Sequence, residues 1–364
     1  MYTPLKDLPE GKNWTLNELN DREVQLLIPV ILFISISMAV GTAGNAFVLY
    51  VNIVVLKLRN STHKYFINSL ALVDTAFCLI TSPIIIADLS HPYTFTNIPA
   101  CKSLCAFGTS TAMASVFILF VIALDRYRRI CKPHGNQFSL KSMKYIFGII
   151  AVLCCVVSIP RVILYGKNTV QTGFANITGI SCFPDDMYKD TVFPNVYNGF
   201  LTVVFVILTA LMSIFYILIW RQIWKNKHPI QTNIVSDTND RQIHCITSKN
   251  PTGSNRPGKN IKEENKGNKN KNHTVTTKNI RSFKILFVVT TIFILSFAPF
   301  LILELLSYLD EHFIENLDNT STVFYQIFIR TYAINFMVNP FIYGVMDRKF
   351  RTEFRNLVLK RLYL

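Results

Sequence analysis

The length and composition of this chain exclude an ordinary soluble domain. Of its 364 residues, 50% are hydrophobic and only 16% are charged, a balance typical of membrane proteins. The net charge is +15, but the basic residues lie between apolar stretches and do not form one folded basic face, so we expect no nucleic-acid partner.

Seven apolar stretches are long enough to cross a bilayer, since a membrane-spanning helix needs about 20 mainly apolar residues. In chain order, these spans are residues 26–56, 64–87, 103–127, 145–165, 195–220, 284–308 and 323–346. Residues 348–362 then place phenylalanines on one face among basic residues, the pattern of a helix lying on a membrane surface. We predict an all-α integral membrane protein, a seven-transmembrane helix bundle with a short amphipathic eighth helix.

The same limits divide the chain into three parts. Residues 1–25 are predicted as an extracellular amino-terminal tail, residues 26–346 as the bundle, and residues 347–364 as the amphipathic helix and carboxy-terminal tail. Within the bundle, the segment of about 228–278 is polar and repeats Asn, Lys and Gly. This composition predicts a disordered third intracellular loop.

The orientation follows from the charged residues, because Lys and Arg in short loops stay on the cytoplasmic side. Basic residues follow spans one, three, five and seven, whereas the stretch 304–322 holds acidic residues and no Lys or Arg. We therefore predict a multi-pass protein of the plasma membrane with an extracellular amino terminus.

Two cysteines are predicted to face the outside. Cys101 begins span three and Cys182 lies in the second outer loop. Thiols in an oxidising compartment usually pair, so we expect a disulfide between them. Asn13 and Asn176 each begin an Asn-X-Ser/Thr triplet on the same side and are candidate glycosylation sites.

Polar and helix-bending residues interrupt the apolar spans. Asp74 is an ionisable group in the middle of span two, which argues for a polar cavity or polar partners at that depth. Pro299 and Pro340 remove backbone hydrogen bonds from spans six and seven and favour hinges there. An Asp125-Arg126-Tyr127 triplet closes span three. Costly residues at these depths point to function.

Taken in order, these motifs resemble those of the rhodopsin-like (class A) G-protein-coupled receptors, of the peptide-receptor type. The resemblance covers nearly the whole chain. It rests on Gly44-Asn45, Leu70 to Asp74, Cys101, Asp125-Arg126-Tyr127, Cys182, Tyr216, Phe293 with Phe297-Ala298-Pro299, and Asn339-Pro340-Phe341-Ile342-Tyr343. It implies a receptor, not an enzyme, that binds an extracellular ligand and activates a heterotrimeric G protein by helix movement.

The resemblance also implies an activation switch. Its residues are Asp125, Arg126, Tyr127, Tyr216, Phe293, Phe297, Pro299, Asn339, Pro340 and Tyr343. Arg126 would be held by Asp125 at rest, and Tyr216 and Tyr343 would move to meet it on activation. Asn279 stands where many members carry a glutamate that pairs with this arginine, so we predict some ligand-free signalling.

A second implied feature is a polar network in the middle of the bundle, formed by Asn45, Asp74, Ser115, Asn335 and Asn339. In the family such a network binds an allosteric sodium ion, for which oxygen ligands from Asp74, Ser115 and Asn335 would be suited. Phe336 replaces the small polar residue usual at its position, and a water-filled network is the alternative. No other cofactor is expected.

The ligand class follows mostly by exclusion. Gly108 stands where amine receptors carry an aspartate, and Ala333 where opsins carry the retinal-binding lysine. A neuropeptide is the preferred ligand; a lipid or other small molecule is the alternative, and a multi-spanning transporter or channel is a third reading. Candidate pocket residues are Asp88, Thr109, Tyr197, Phe200, Glu304, Tyr308, Tyr325, Gln326, Arg330 and Tyr332.

The charges among these candidates suggest how a ligand would be recognised. Acidic outer residues would attract a basic ligand, and Arg330 would meet a carboxylate or amidated terminus; ordinary solvated charge is the alternative. Further expected partners are membrane lipids at the amphipathic helix, and arrestin and receptor kinases at the third intracellular loop.

Overall fold

The computed structural model describes residues 13–55, 62–172, 174, 177–227, 262–310, 313–314 and 316–362. Six long apolar helices run through it: α1 (Leu16–Val55), α2 (Thr62–Ser90), α3 (Ile98–Cys131), α4 (Leu140–Leu164), α5 (Phe193–Lys227) and α6 (Lys262–Leu309). The predicted seventh crossing consists of two shorter helices, α7 (Asn319–Phe328) and α8 (Ala333–Met346). The predicted seven-helix bundle is confirmed.

The first helix begins earlier than predicted. It starts at Leu16 instead of residue 26 and so includes much of the predicted tail of residues 1–25. The reason is a local cap: the Glu18 backbone N–H donates to the Thr15 hydroxyl at 3.3 Å, and the Thr15 N–H donates to the Glu18 carboxylate at 3.0 Å. Such a reciprocal pair satisfies two backbone donors at a helix start.

Helix α6 also extends beyond its apolar span. It begins at Lys262, inside the segment 228–278 that was predicted to be disordered; residues 228–261 of that segment lie outside the described residues. Lys and Glu have favourable helix propensities. Adding turns to an existing helix avoids the cost of nucleation, so this polar stretch continues the helix.

Span seven is broken rather than continuous. Between α7 and α8, the backbone N–H of Arg330 donates to Ile327 O at 3.0 Å, and that of Ala333 donates to Arg330 O at 2.9 Å. These bonds span three residues instead of the four of an α-helix, so the chain tightens across residues 329–332. The break leaves Arg330 and Tyr332 projecting from a turn.

The last helix, α9 (Arg348–Leu362), is the amphipathic helix that was predicted to follow the seven spans. It is numbered ninth because span seven consists of α7 and α8. The Phe47 ring of α1 meets the Phe350 and Phe354 rings edge-on, with centroids 5.6 and 5.4 Å apart. Higher in the same interface, a Cβ on Gly44 would lie 2.7 Å from Pro340 Cγ, so a glycine is needed where α1 approaches α8. The end of the bundle with α9, Arg128 and Arg129 is called the basic end below.

A β-hairpin covers the opposite end, which is called the hairpin end. Strands β1 (Tyr165–Gln171) and β2 (Thr178–Pro184) pair antiparallel, and Cys182 of β2 is bonded to Cys101 in the first turn of α3. The predicted disulfide is confirmed, whereas the hairpin was not predicted. Asp186 accepts from the Thr169 N–H and hydroxyl at 2.9 and 2.6 Å, which lowers the pKa of its carboxyl to about 2.

Candidate functional site

A cavity of about 330 Å³ opens beneath the hairpin end, between helices α2 to α6 and the turn at residues 329–332. It is mostly apolar, with Phe77, Phe205 and Phe297 among its lining residues. Few polar groups in an apolar cleft are typical of a small-molecule or peptide-end site. Five of the predicted pocket residues line it: Asp88, Thr109, Glu304, Arg330 and Tyr332.

The other five candidates do not line the cavity. Phe200 and Tyr308 are exposed on the outside of the bundle, at 53% and 71% of their surface. Tyr197 donates its hydroxyl to Val157 O at 2.6 Å, against α4. Tyr325 and Gln326 are buried behind the lining. The sequence indicated their depth along each helix but not which face of the helix they occupy.

Arg161 was missed and is a lining residue of the cavity. Its guanidinium carbon lies 4.3 Å from the Tyr165 ring centroid and 5.4 Å from that of Tyr197. Its Nε is buried without a hydrogen-bond partner among the described residues. The available signal was a cation at the end of an apolar span, which is costly unless a partner is present.

The second cation of the cavity is also held by neutral groups. Arg330 Nη1 donates to the backbone oxygen of Gln326 at 3.1 Å and to its side-chain oxygen. In the described part of the chain, neither Arg161 nor Arg330 forms an ion pair. The cavity therefore contains two guanidinium groups outside any ion pair among the described residues, together with the carboxyls of Asp88 and Glu304, of which Glu304 interacts electrostatically with Arg161.

The floor of the cavity leads toward the interior through aromatic side chains. Phe297 packs 5.0 Å from Phe205 and 4.7 Å from Phe293, measured between ring centroids. Phe297 occupies the position where the resemblance expects tryptophan. It lies two residues before Pro299, within the same turn of α6, so the floor of the cavity adjoins a residue that favours a hinge in that helix.

Buried polar side chains lie nearer the basic end, on α2, α3 and α8. Asn339 Nδ2 donates to Asp74 Oδ2 at 2.8 Å. Among the described residues, the other Asp74 oxygen, the Ser115 hydroxyl and the amide oxygens of Asn335 and Asn339 are buried without a hydrogen-bond partner. Unsatisfied buried oxygens are uncommon and call for an ion or ordered water.

Two neighbours shape this network. Asn45 Nδ2 donates to Gly41 O at 3.1 Å and to Phe336 O at 2.7 Å, so its amide connects α1 to α8. The Phe336 ring stacks on Phe77 with centroids 3.7 Å apart. An aromatic pair thus fills the space beside the network where the resemblance expects a small polar residue.

The predicted switch lies at the basic end, where Arg126 is buried. Arg126 Nη2 lies 3.3 Å from Asp125 Oδ2, as the resemblance implies. However, Arg129 holds the same carboxylate more closely, with Nε at 2.8 and 3.0 Å from its two oxygens. Arg129 Nη2 also donates to the Thr62 hydroxyl at 2.9 Å. Asp125 is therefore shared, and its hold on Arg126 is the weaker one.

The tyrosines of the switch are not bonded to Arg126 in this state. The Tyr216 hydroxyl lies 2.9 Å from the Thr290 hydroxyl and 3.3 Å from Leu286 O, and both of these acceptors are on α6. The Tyr343 hydroxyl is buried without a hydrogen-bond partner among the described residues. The third predicted aromatic, Tyr127, stacks on Phe215 with centroids 5.3 Å apart.

A model of the seven-transmembrane receptors of the rhodopsin family matches residues 44–343. The chain belongs to this family. It is 24% identical to the neuropeptide S receptor of Mus musculus over 89% of this chain and 76% of that protein. It is 24% identical to the neuropeptide S receptor of Macaca mulatta over 94% of this chain and 81% of that protein.

In this rhodopsin-family receptor, the match begins at Gly44 and ends at Tyr343, so it includes the cavity, the polar network and the switch. The family consists of receptors and is not an enzyme family, as predicted. Of the two predicted glycosylation sites, Asn13 is exposed just before α1, and Asn176 lies outside the described residues.

Proposed function

We propose that this receptor lies in the plasma membrane with its hairpin end and amino terminus outside, binds a peptide in the cavity, and activates a heterotrimeric G protein at its basic end. The observation that carries the proposal is a cavity beneath a disulfide-tethered hairpin at one end of the bundle and a buried Arg126 at the other. Two such sites in one bundle suit signalling across a membrane.

A peptide is favoured by the relatives and by the polarity of the cavity. Two relatives that match most of the chain are receptors named for neuropeptide S. At 24% identity, we infer for this receptor the class of ligand that these relatives bind, and not their particular ligand. The cavity presents Asp88 and Glu304 as well as Arg161 and Arg330, and a peptide carries groups of both charges in its termini and side chains.

The arginines sharpen the expected chemistry of the ligand. A guanidinium without an ion-pair partner in a low-dielectric cavity attracts a carboxylate strongly, and its planar fork can bind both oxygens. We therefore expect the ligand to place an anionic group near Arg161 and Arg330. The sequence suggested Arg330 for this role, and Arg161 adds a second cation in the same cavity.

Activation is proposed to be a population shift. A ligand bound against Phe297 and Glu304 favours arrangements in which α6 moves away from α3 at the basic end, since it contacts α6 directly. That movement uncovers Arg126 for the G protein, which then exchanges its nucleotide. The shift is limited by the difference in ligand affinity between the closed and open bundles.

The polar network fits a sodium ion. Its unpartnered oxygens come from a carboxylate, a hydroxyl and amides, which are hard ligands suited to an alkali cation. We propose that Asp74, Ser115 and Asn335 hold the ion, with Asn339 beside them, and that the ion supplies a positive charge that neutralises Asp74. The residues present fit this role although Phe336 narrows the site.

Other proposed partners concern the basic end and the surface. Phosphorylation and arrestin binding would use the third intracellular loop, and α9 would lie on the inner leaflet, where its basic residues meet anionic lipids. A glycan on the exposed Asn13 would stand beside the hairpin end.

The test is a peptide screen on cells that express the receptor with a promiscuous G protein. Each peptide is supplied with a free carboxylate and as the carboxamide, and calcium release is recorded. We expect responses that are lost in Arg126→Ala, strongest among the free acids, and weakened at least tenfold by Arg161→Gln. Lys189→Gln, at an ion-paired outer lysine, is the matched control.

The outcomes separate the parts of the proposal. Equal potency of acids and carboxamides would reject the role of the arginines but not that of the receptor. Silence across all peptides at normal surface expression would favour a lipid or other small molecule. A response that survives Arg126→Ala would contradict the G-protein mechanism.

A further inference from the structure

The contact between Tyr216 and Thr290 joins α5 to α6 near the switch. The two hydroxyl oxygens lie 2.9 Å apart, and Thr290 donates its one hydrogen to Leu286 O on its own helix at 3.0 Å, so the Tyr216 hydroxyl is the donor of the bond between the two hydroxyls. Both side chains are buried, at 5% and 1% exposure. A hydroxyl removed from water at such a site needs its hydrogen-bond partners, so the pair holds the two helices together.

This contact keeps Tyr216 in place beside the switch. The Tyr216 ring packs against Phe283 and Phe287 of α6, with centroids 5.8 and 5.4 Å away. The hydrogen-bond partners of its hydroxyl also belong to α6. Tyr216 cannot move to Arg126 without first leaving Thr290.

Within the part of the chain whose side chains the structure describes, the ionic restraint on Arg126 is weak. Its ion pair with Asp125 is the longer of the two made by that carboxylate. Asn279, in α6, is an amide where a glutamate would have supplied a second charge. A closed bundle with a buried Arg126 therefore needs another contact between α6 and its neighbours.

We propose that Thr290 is a positioning residue of the switch: its hydroxyl holds Tyr216 on α6 in the closed bundle and thereby limits ligand-free signalling. The inference rests on the proposed G-protein activation, but it concerns a restraint that is present without any ligand. It adds to the prediction of some ligand-free signalling from Asn279, because a neutral hydrogen bond would supply part of the restraint of the missing ion pair.

The test replaces Thr290 by valine, which has nearly the same shape and no hydroxyl. Ligand-free nucleotide exchange is measured on a purified heterotrimer added to membranes with equal amounts of surface receptor. Loss of one buried hydrogen bond from the closed state alone shifts the equilibrium by roughly three- to tenfold, so basal exchange should rise by that factor. Thr290→Ser keeps the hydroxyl and should stay near wild type.

Thr291→Val is the matched control. Thr291 makes the same bond within its helix, to Phe287 O at 2.9 Å, but is exposed on the outside of the bundle. Its replacement should leave basal exchange unchanged. Thr290→Ala removes the same hydroxyl with a smaller side chain and carries the test if the valine variant does not reach the surface.

A second measurement does not depend on the G protein. Hydrogen–deuterium exchange of residues 283–293 in the purified receptor should be faster in Thr290→Val than in wild type or Thr291→Val. Unchanged exchange in this segment, or a serine variant as active as the valine variant, overturns the role of Thr290. Faster deuterium uptake without any nucleotide exchange supports the restraint and instead rejects the proposed G-protein activation.

Discussion

The proposed sodium site predicts that sodium stabilises this receptor and that Asp74 is required for the effect. Asp74 is fully buried with one hydrogen-bond partner, and further oxygens around the network are unpartnered in the described part of the chain. A cation that neutralises Asp74 removes the cost of an unpaired buried charge. The wild-type protein should therefore melt at a higher temperature in sodium chloride than in choline chloride.

The size of the effect follows from mass action. At a sodium concentration three times the dissociation constant, stabilisation is RT ln 4, or about 0.8 kcal/mol. For a protein of this size that free energy corresponds to about 1–2 °C in the apparent melting temperature. Asp74→Asn keeps the shape and accepts from Asn339, so it should melt above wild type without sodium and show no sodium-specific shift.

Serine variants provide a matched pair. Ser115→Ala removes an unpartnered hydroxyl and should reduce the sodium shift at little cost in stability. Ser37→Ala removes a hydroxyl that donates to Phe33 O at 2.8 Å, so it should lower stability by about 1 kcal/mol and leave the sodium shift intact. Equal melting temperatures in sodium and choline, or an unchanged shift in Asp74→Asn, would refute the site.

Two further predictions concern stability. Cys101→Ser opens a loop of 81 residues and should lower the free energy of unfolding by about 4.5 kcal/mol by the chain-entropy relation. Surface expression and melting temperature should fall with it. Cys155→Ser, at an exposed free thiol, should change neither. Gly44→Ala should destabilise by about 1–2 kcal/mol, because overlap with Pro340 outweighs the gain in helix propensity. A Cβ added at Gly199 meets no neighbouring atom within 4 Å, so Gly199→Ala should instead raise the melting temperature through its better helix propensity.

The number of crossings was predictable because it depends on composition alone. A run of about 20 apolar residues reports a membrane span whatever its neighbours are. Helix ends were less predictable: α1 begins at a cap made by Thr15 and Glu18, and span seven tightens at residues 329–332. Both features depend on a few local hydrogen bonds, which an apolar run does not encode.

The site was predictable in depth but not in detail. Asp88 and Glu304 line the cavity as expected. Phe200 and Tyr308 lie at a similar depth along their helices, but their side chains are exposed on the outside of the bundle. Rotation about a helix axis is set by packing among all its neighbours, so a single residue's position along the span does not fix it. Arg161 was overlooked for a related reason, since an arginine at a span end is commonly a headgroup contact.

The closed state can be understood from the arrangement of α6 alone. Phe297 meets the cavity, Phe293 packs beneath it, and Thr290 follows about one turn further toward the basic end. A helix is stiff over so short a distance, so a ligand that displaces Phe297 must also strain the bond from Thr290 to Tyr216. A neutral hydrogen bond, costing little to break, lets a modest difference in ligand affinity open the bundle. If the proposal is correct, the strength of this bond sets the amount of ligand-free signalling, because Asn279 provides no charge to pair with Arg126.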